Sequence, residues 1–126
     1  MASESEVARA WLEAMNQHDL KRMASVYAPN VVGDEVADPP ARDRAGLEEA
    51  YRELFESFPD CRADVLNLFA GGGQVAAEIR WTGTNLRPFR GQPTTNKRSD
   101  LRIAYLFKVV SGKIERITEY SDSASV

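Results

Sequence analysis

At Arg62 the spacing of the apolar side chains changes. Before it they recur every three or four residues, as on an amphipathic helix; after it they recur every second residue, as on a half-buried strand. A helical half followed by a strand half predicts an α+β domain rather than alternating βαβ units. The 126 residues contain no internal repeat or low-complexity break, so 1-126 reads as a single domain. A chain of this length buries roughly two-thirds of its unfolded surface and needs neither disulfide nor metal to fold.

In the helical half, Ser3 and Glu6 fit a capping box, and Val7, Trp11 and Met15 form the apolar face behind it. Asn16-Gln17-His18 ends this helix and Asp19 caps the next. Leu20, Met23, Ala24 and Tyr27 continue at helical spacing until Pro29. A short apolar piece, Val31-Val32, precedes a loop rich in Asp and Pro from Asp34 to Arg44. A third helix follows, with Leu47, Tyr51, Leu54, Phe55 and Phe58 on one face, and Pro59 closes it.

In the strand half, Ala63 and Val65 alternate with Asp64 and Leu66, and Gly71-Gly72-Gly73 turns the chain. Val75, Ala77, Ile79 and Trp81 share one face of the next strand, while Glu78, Arg80 and Thr82 share the other. A loop with Pro88, Gly91 and Pro93 leads to a strand from about Arg98. Ser111-Gly112 then closes a two-residue hairpin. An unbroken ladder from that turn pairs Val109 with Ile114, Phe107 with Arg116, Tyr105 with Thr118, Ile103 with Tyr120 and Leu101 with Asp122. Lys108 faces Glu115 on the opposite side. Three helices on a curved antiparallel sheet make a cone with a pocket, and this register sets Asp122 at the end of its apolar face. A carboxylate so placed suits proton transfer.

Several chemistries are disfavoured. Cys61 is the single cysteine and His18 the single histidine, so no metal-spaced cluster exists, and no histidine is expected beside Cys61 to activate it as a nucleophile. No serine stands in a G-x-S-x-G turn. A net charge of −3 argues against nucleic acid. No signal-peptide pattern or membrane-length apolar run is present, and cytoplasmic residence is the simplest reading. Arg87, Arg90, Lys97, Arg98 and Arg102 read as a solvated loop, or alternatively as a gate for an anionic ligand.

Trp11-Leu12-Glu13-Ala14-Met15-Asn16-Gln17-His18-Asp19-Leu20, Tyr27-Ala28-Pro29-Asn30-Val31-Val32, Phe58-Pro59-Asp60, Arg80-Trp81-Thr82-Gly83-Thr84-Asn85 and Glu119-Tyr120-Ser121-Asp122 together resemble the SnoaL-like proteins of the NTF2-like superfamily. The resemblance spans nearly the whole chain. It implies an NTF2-like cone in which three N-terminal helices pack on a curved antiparallel sheet with a mixed edge. It also implies cofactor-free acid/base chemistry, of cyclase or isomerase type, on a hydrophobic carbonyl compound. Asp122 matches the acid/base aspartate on the family's final strand, and Tyr120 becomes the donor to a developing oxyanion. Trp81, Tyr105, Ile103, Trp11, Tyr27 and Phe55 become pocket lining. No counterpart exists for the histidine expected on the neighbouring strand. The resemblance further implies a homodimer formed through the sheet face. Because the superfamily also houses binding and dimerisation modules, non-catalytic carriage of a hydrophobic ligand is the alternative. Water activation by Asp100, Arg102 and Asp122, as in epoxide hydrolases, is another. Relation to ketosteroid isomerase is a poorer fit: Trp11 and Ala104 stand where its oxyanion donors should be, leaving only Asp38 or Glu35 as a base.

Overall fold

The computed structural model describes residues 3–121. Helix α1 (Glu4–Asn16) opens with the expected capping box, in which the Glu6 amide donates to Ser3 Oγ at 3.2 Å and the Ser3 amide donates to Glu6 Oε1 at 3.3 Å. His18 adopts a left-handed conformation, and Asp19 then caps α2 (Leu20–Ala24) through the Arg22 amide at 3.0 Å.

The second helix is shorter than its apolar spacing predicts. Tyr27 already belongs to β1 (Tyr27–Glu35), where it pairs with Ile114, and the Ile114 amide donates to the Val26 carbonyl at 2.7 Å. Ladder hydrogen bonds to a distant strand outweigh the local periodicity. Pro29 is tolerated because β1 is an edge strand and its register is irregular between Tyr27 and Val32. Helix α3 (Arg44–Ser57) starts at Asp43, whose carboxylate accepts from the Gly46 amide at 2.8 Å, and ends before Pro59.

Strands β2 (Arg62–Gly71), β3 (Gln74–Thr84), β4 (Arg98–Val110) and β5 (Lys113–Tyr120) complete one five-stranded sheet in the order β1-β5-β4-β3-β2. Among the described residues, only the β1–β5 pair is parallel. The fold is therefore α+β with a curved, mostly antiparallel sheet; its helices are not one unbroken N-terminal group, because β1 intervenes before α3. Trp11, Met15, Phe58, Ile79, Phe107 and Ile114 form the centre of the core between helices and sheet. Among the described residues, no helix is long and apolar enough to cross a membrane.

The last hairpin turns at Ser111-Gly112, both at positive φ, as a two-residue loop between twisted strands requires. Val109 pairs with Ile114 as expected, and Lys108 meets Glu115 at 3.4 Å. Beyond that point the ladder differs from the regular one. Lys108 pairs with Arg116, Phe107 with Ile117, Tyr105 with Glu119 and Ala104 with Tyr120. Glu115 is the extra residue of a β-bulge, and each later side chain of β5 changes face relative to an unbroken ladder. The reason is apolar: Ile114 and Ile117 stand three apart, and only a bulge buries both.

Candidate active site

Because of the bulge, Glu119 projects inward. Its neighbour across the parallel ladder is Glu35, the last residue of β1, and its neighbour across the antiparallel ladder is Tyr105 of β4. The row Glu35–Glu119–Tyr105 lies along the wall of a cavity of about 540 Å³ between the sheet, α3 and the loop after β3. That volume suits a small organic ligand. Leu54 of α3, Phe58 at its C-cap, Phe89 of the loop, and Trp81, Leu101, Ile103 and Ile117 of the sheet provide the apolar surface.

Two loops close the charged end. Residues 36–42 fold back so that Gly33 and Arg42 exchange backbone hydrogen bonds of 2.8 and 2.7 Å. This brings the Arg42 guanidinium to Glu35 Oε2 at 3.3 Å and to Asp38 Oδ2 at 2.9 Å. From the other side comes Arg90, on the loop between β3 and β4. It donates to Glu35 Oε2 at 2.7 Å and Oε1 at 3.0 Å, lies 3.2 Å from Asp38, and stacks over Phe89. The root of this loop is pinned. Asn85 Oδ1 accepts from the Thr95 amide at 2.7 Å, Asn85 Nδ2 donates to the Arg87 carbonyl at 2.9 Å, and Ser57 Oγ donates to the Pro88 carbonyl at 2.8 Å.

The Glu119 carboxyl is pushed up to about 7, first by burial, then by the charge of Glu35 and by a side-chain hydrogen bond shared with it. The Ser121 hydroxyl, which donates to Glu119 Oε2 at 3.2 Å, and the more distant charge of Arg90 act the other way. Burial also holds the phenols of Tyr51 and Tyr105 well above their ordinary value, and the charge of Glu119 adds to it. Both phenols stay protonated. The Tyr105 hydroxyl sits against Tyr51 and Glu119. The arrangement thus offers a carboxyl that changes protonation near neutral pH beside a phenol that keeps its proton and can donate it in a hydrogen bond.

Trp81, Ile103 and Tyr105 line the cavity. Trp11, Tyr27 and Phe55 do not. Trp11 is fully buried, donating from Nε1 to the Tyr27 hydroxyl at 3.0 Å, and Phe55 stacks on His18 at 4.3 Å. Tyr120, expected opposite Ile103 on the inner face, instead lies opposite Ala104 on the outer face and is 49% exposed. Asp122 lies outside the described residues. Arg102 pairs with Glu78 at 3.4 Å and Asp100 pairs with Arg80, on strand positions that alternate away from the cavity-lining Leu101 and Ile103; the structure does not bring Asp100 and Arg102 to the cavity. Lys97 and Arg98 line its rim.

One sequence expectation needs correction. His18 does stand beside Cys61 in space, with Nε2 3.4 Å from Sγ. The same Nε2 faces the Cys61 carbonyl oxygen at 3.0 Å, where it donates its proton and so cannot accept one from the thiol. Burial and the charge of Asp60 push that thiol up to about 12. The pair is packing rather than a nucleophile and its base.

Glu119 is the residue that the sequence reading missed. Its signal was the three-residue interval from Ile114 to Ile117, which breaks strict alternation. Among the described residues, no group of three His, Cys, Asp or Glu side chains is placed to hold a metal ion.

The family model of SnoaL-like polyketide cyclases matches residues 5–126. No curated protein sequence matches the chain. Among solved structures, IdmH from Streptomyces antibioticus, a candidate polyketide cyclase, is similar at 25% identity with a TM-score of 0.84, covering 98% of this chain and 95% of that one. AclR from Streptomyces galilaeus, a candidate hydroxylase, is similar at 20% identity with a TM-score of 0.85, covering 97% and 90%. A protein of ketosteroid-isomerase-like fold from Catenulispora acidiphila, in complex with trimethylamine, is similar at 15% identity with a TM-score of 0.81, covering 96% and 88%.

Proposed function

Because the chain belongs to the SnoaL-like polyketide cyclase family, we propose that it carries out cofactor-free acid/base chemistry of the cyclase or isomerase type on a hydrophobic carbonyl compound, with Glu119 as the proton-transferring group. The observation that carries this reading is the position of Glu119 on the wall of the cavity, between the Glu35 carboxyl and the Tyr105 phenol. As carboxylate, Glu119 takes a proton from the carbon beside a carbonyl, and the carbonyl oxygen becomes an enolate stabilised by the Tyr105 hydroxyl. In a closure, the enolate carbon bonds to a second carbonyl carbon of the same molecule. The resulting alkoxide takes the proton back from Glu119, which ends as it began. In an isomerisation, the proton returns to a different carbon. A group with proton affinity near ambient pH serves both halves of either cycle.

The test is hydrogen–deuterium exchange at the acidic carbon of a panel of cyclic and aryl 1,3-diketones, followed by NMR with the wild-type protein and Glu119→Gln. Exchange catalysed by the wild type and lost in the variant supports the reading. Saturable binding with no exchange above buffer across the panel supports the non-catalytic ligand carrier instead. For assembly, a homodimer through the outer sheet face is the proposal, supported by exposed Phe69, Leu106 and Tyr120 there.

A further inference from the structure

The charged end of the cavity holds three carboxyls and two guanidiniums, all in contact or near contact. Glu35 and Asp38 are each gripped by both Arg42 and Arg90, at 2.7 to 3.3 Å. Glu119 is not: among the described residues no cation lies within salt-bridge distance of it. Its companions are the Ser121 hydroxyl at 3.2 Å just past the end of β5, Glu35 from β1, Tyr105 from β4, Tyr51 from α3 and, farther off, Arg90 from the loop after β3. With both arginines charged, the cluster is neutral only when one carboxyl carries a proton. The two that hold guanidiniums gain most from being anionic, because an ionised partner roughly doubles the strength of each hydrogen bond. The remaining proton therefore falls to the carboxyl that has none.

We propose that Glu35 and Arg90 are positioning residues that assign the proton of this cluster: Glu35 is clamped by two guanidiniums, and Glu119, which has none, is left to carry the proton and to pass it to a ligand. The inference rests on the proposed role of Glu119 and goes one step beyond it, to what sets the charge of that group. It also ties proton affinity to the loop after β3. Arg90 sits at the tip of that loop at positive φ beside Gly91, while the root is held by Asn85 and Ser57. A ligand that lifts Arg90 away from Glu35 removes a positive charge from the pair, so the pair binds its proton more tightly when the grip is open.

The experiment is a carbon-detected NMR titration of the Glu119 carboxyl in wild type, Glu35→Gln, Arg90→Gln and Arg90→Lys, each checked for a native amide spectrum. The midpoint should fall by about one pH unit or more in Glu35→Gln, because the neighbouring anion is gone. It should rise in Arg90→Gln, because a cation is gone, and stay near wild type in Arg90→Lys. Loosened packing would move both glutamine variants the same way. Midpoints that do not move, or that move together, overturn the assignment even when wild-type Glu119 titrates near neutrality, and the catalytic reading then survives it. A wild-type midpoint in the ordinary carboxylate range overturns both. Opposite shifts with undiminished carbon–deuterium exchange in Glu119→Gln uphold the assignment and remove the catalytic role.

Discussion

Glu35 and Glu119 stand side by side on the sheet's one parallel pair of strands, register partners at the wall of the cavity. Register partners share a sheet face, so the two carboxyls are forced together by the backbone rather than by side-chain choice. Neither can retreat. Glu119 is fixed by the bulge at Glu115 on one side and by Tyr105 on the other, and Glu35 is tied to Arg42 and Arg90. Two carboxyls paired in register at a buried site do not both ionise freely. The fold thus builds a tunable acid from a β-bulge, a parallel edge strand and two arginine-bearing loops.

Replacing Glu119 with Gln keeps the shape of the side chain and removes its titration. Positioned general acid/base catalysis contributes typically about 10²- to 10⁴-fold. Wild-type exchange or turnover should fall by that order in Glu119→Gln, with ligand affinity changed little. Tyr120→Phe, on the outer face, should leave the rate unchanged. Steady-state rates with a reactive 1,3-diketone check both.

Stability should depend on pH with a sign set by Glu119. The ordinary value of the group is 4.5 and its folded value is about 7, so the folded protein binds the proton more tightly than the unfolded chain. The stabilisation is fully present below 4.5 and is lost as pH rises through about 7, by at most roughly 3 kcal/mol. On the acid side Asp60 acts oppositely. The Thr84 amide and hydroxyl, donating at 2.7 and 2.8 Å, hold its carboxyl below 3.8, and that contribution disappears as pH falls through the folded value. Urea midpoints measured from pH 3 to 9 should therefore peak in the mildly acidic range. In Glu119→Gln the decline between pH 5 and 8 should flatten.

Much of this architecture was legible in the residues. The Ser3–Glu6 box, the Asp19 cap, the alternation of Val75, Ala77, Ile79 and Trp81, and the Ser111-Gly112 turn rest on local rules, and the structure shows each of them. What local rules do not carry is the consequence of a partner strand. Tyr27 continues a helical spacing, yet it pairs with β5 because strand partners offer its backbone ladder hydrogen bonds. Strict alternation turned Tyr120 inward and Glu119 outward, and one extra residue at Glu115 reversed both. The Asp- and Pro-rich loop gave no hint that Arg42 would fold back onto Glu35, since that contact depends on a two-hydrogen-bond bridge to Gly33.

Trp11 and Tyr27 should prove to be structural. Removing the hydroxyl in Tyr27→Phe leaves the buried Trp11 Nε1–H without its acceptor, at a cost of about 1–3 kcal/mol. The expected result is a lower thermal midpoint with ligand affinity and rate constants unchanged. A specific loss of binding without destabilisation would return both residues to the pocket.

The outer sheet face can be probed at Phe69, which is 70% exposed and pairs with Ala76, with Leu106 next along the same row. Phe69→Glu places a charge in that apolar row. If two copies meet there, burying the carboxylate is unfavourable and the dimer dissociates. Sedimentation velocity should show a dimer for the wild type and a monomer for the variant, with the fold intact by circular dichroism. A wild type that is monomeric at high micromolar concentration would rule out the homodimer.

Gly33 links the cavity to the core, and its substitution should be costly for a reason visible in the backbone. A methyl group at Gly33 would lie 2.2 Å from Leu47 Cδ2 and 2.8 Å from Cγ. The backbone cannot withdraw, because Gly33 pairs with Ile117 on one side and exchanges two hydrogen bonds with Arg42 on the other. Leu47 must move instead, and it is buried on α3, the helix that also carries Tyr51 and Leu54 to the cavity. Overpacking of this kind destabilises by about 1–3 kcal/mol. Leu47→Ala alone leaves a void and should cost about 2–5 kcal/mol. In the double variant the new methyl occupies part of that void, so the combined loss should be smaller than the sum of the two single losses. Denaturant titration of the four proteins measures the coupling directly. Strict additivity would mean that Leu47 and Gly33 do not meet as described.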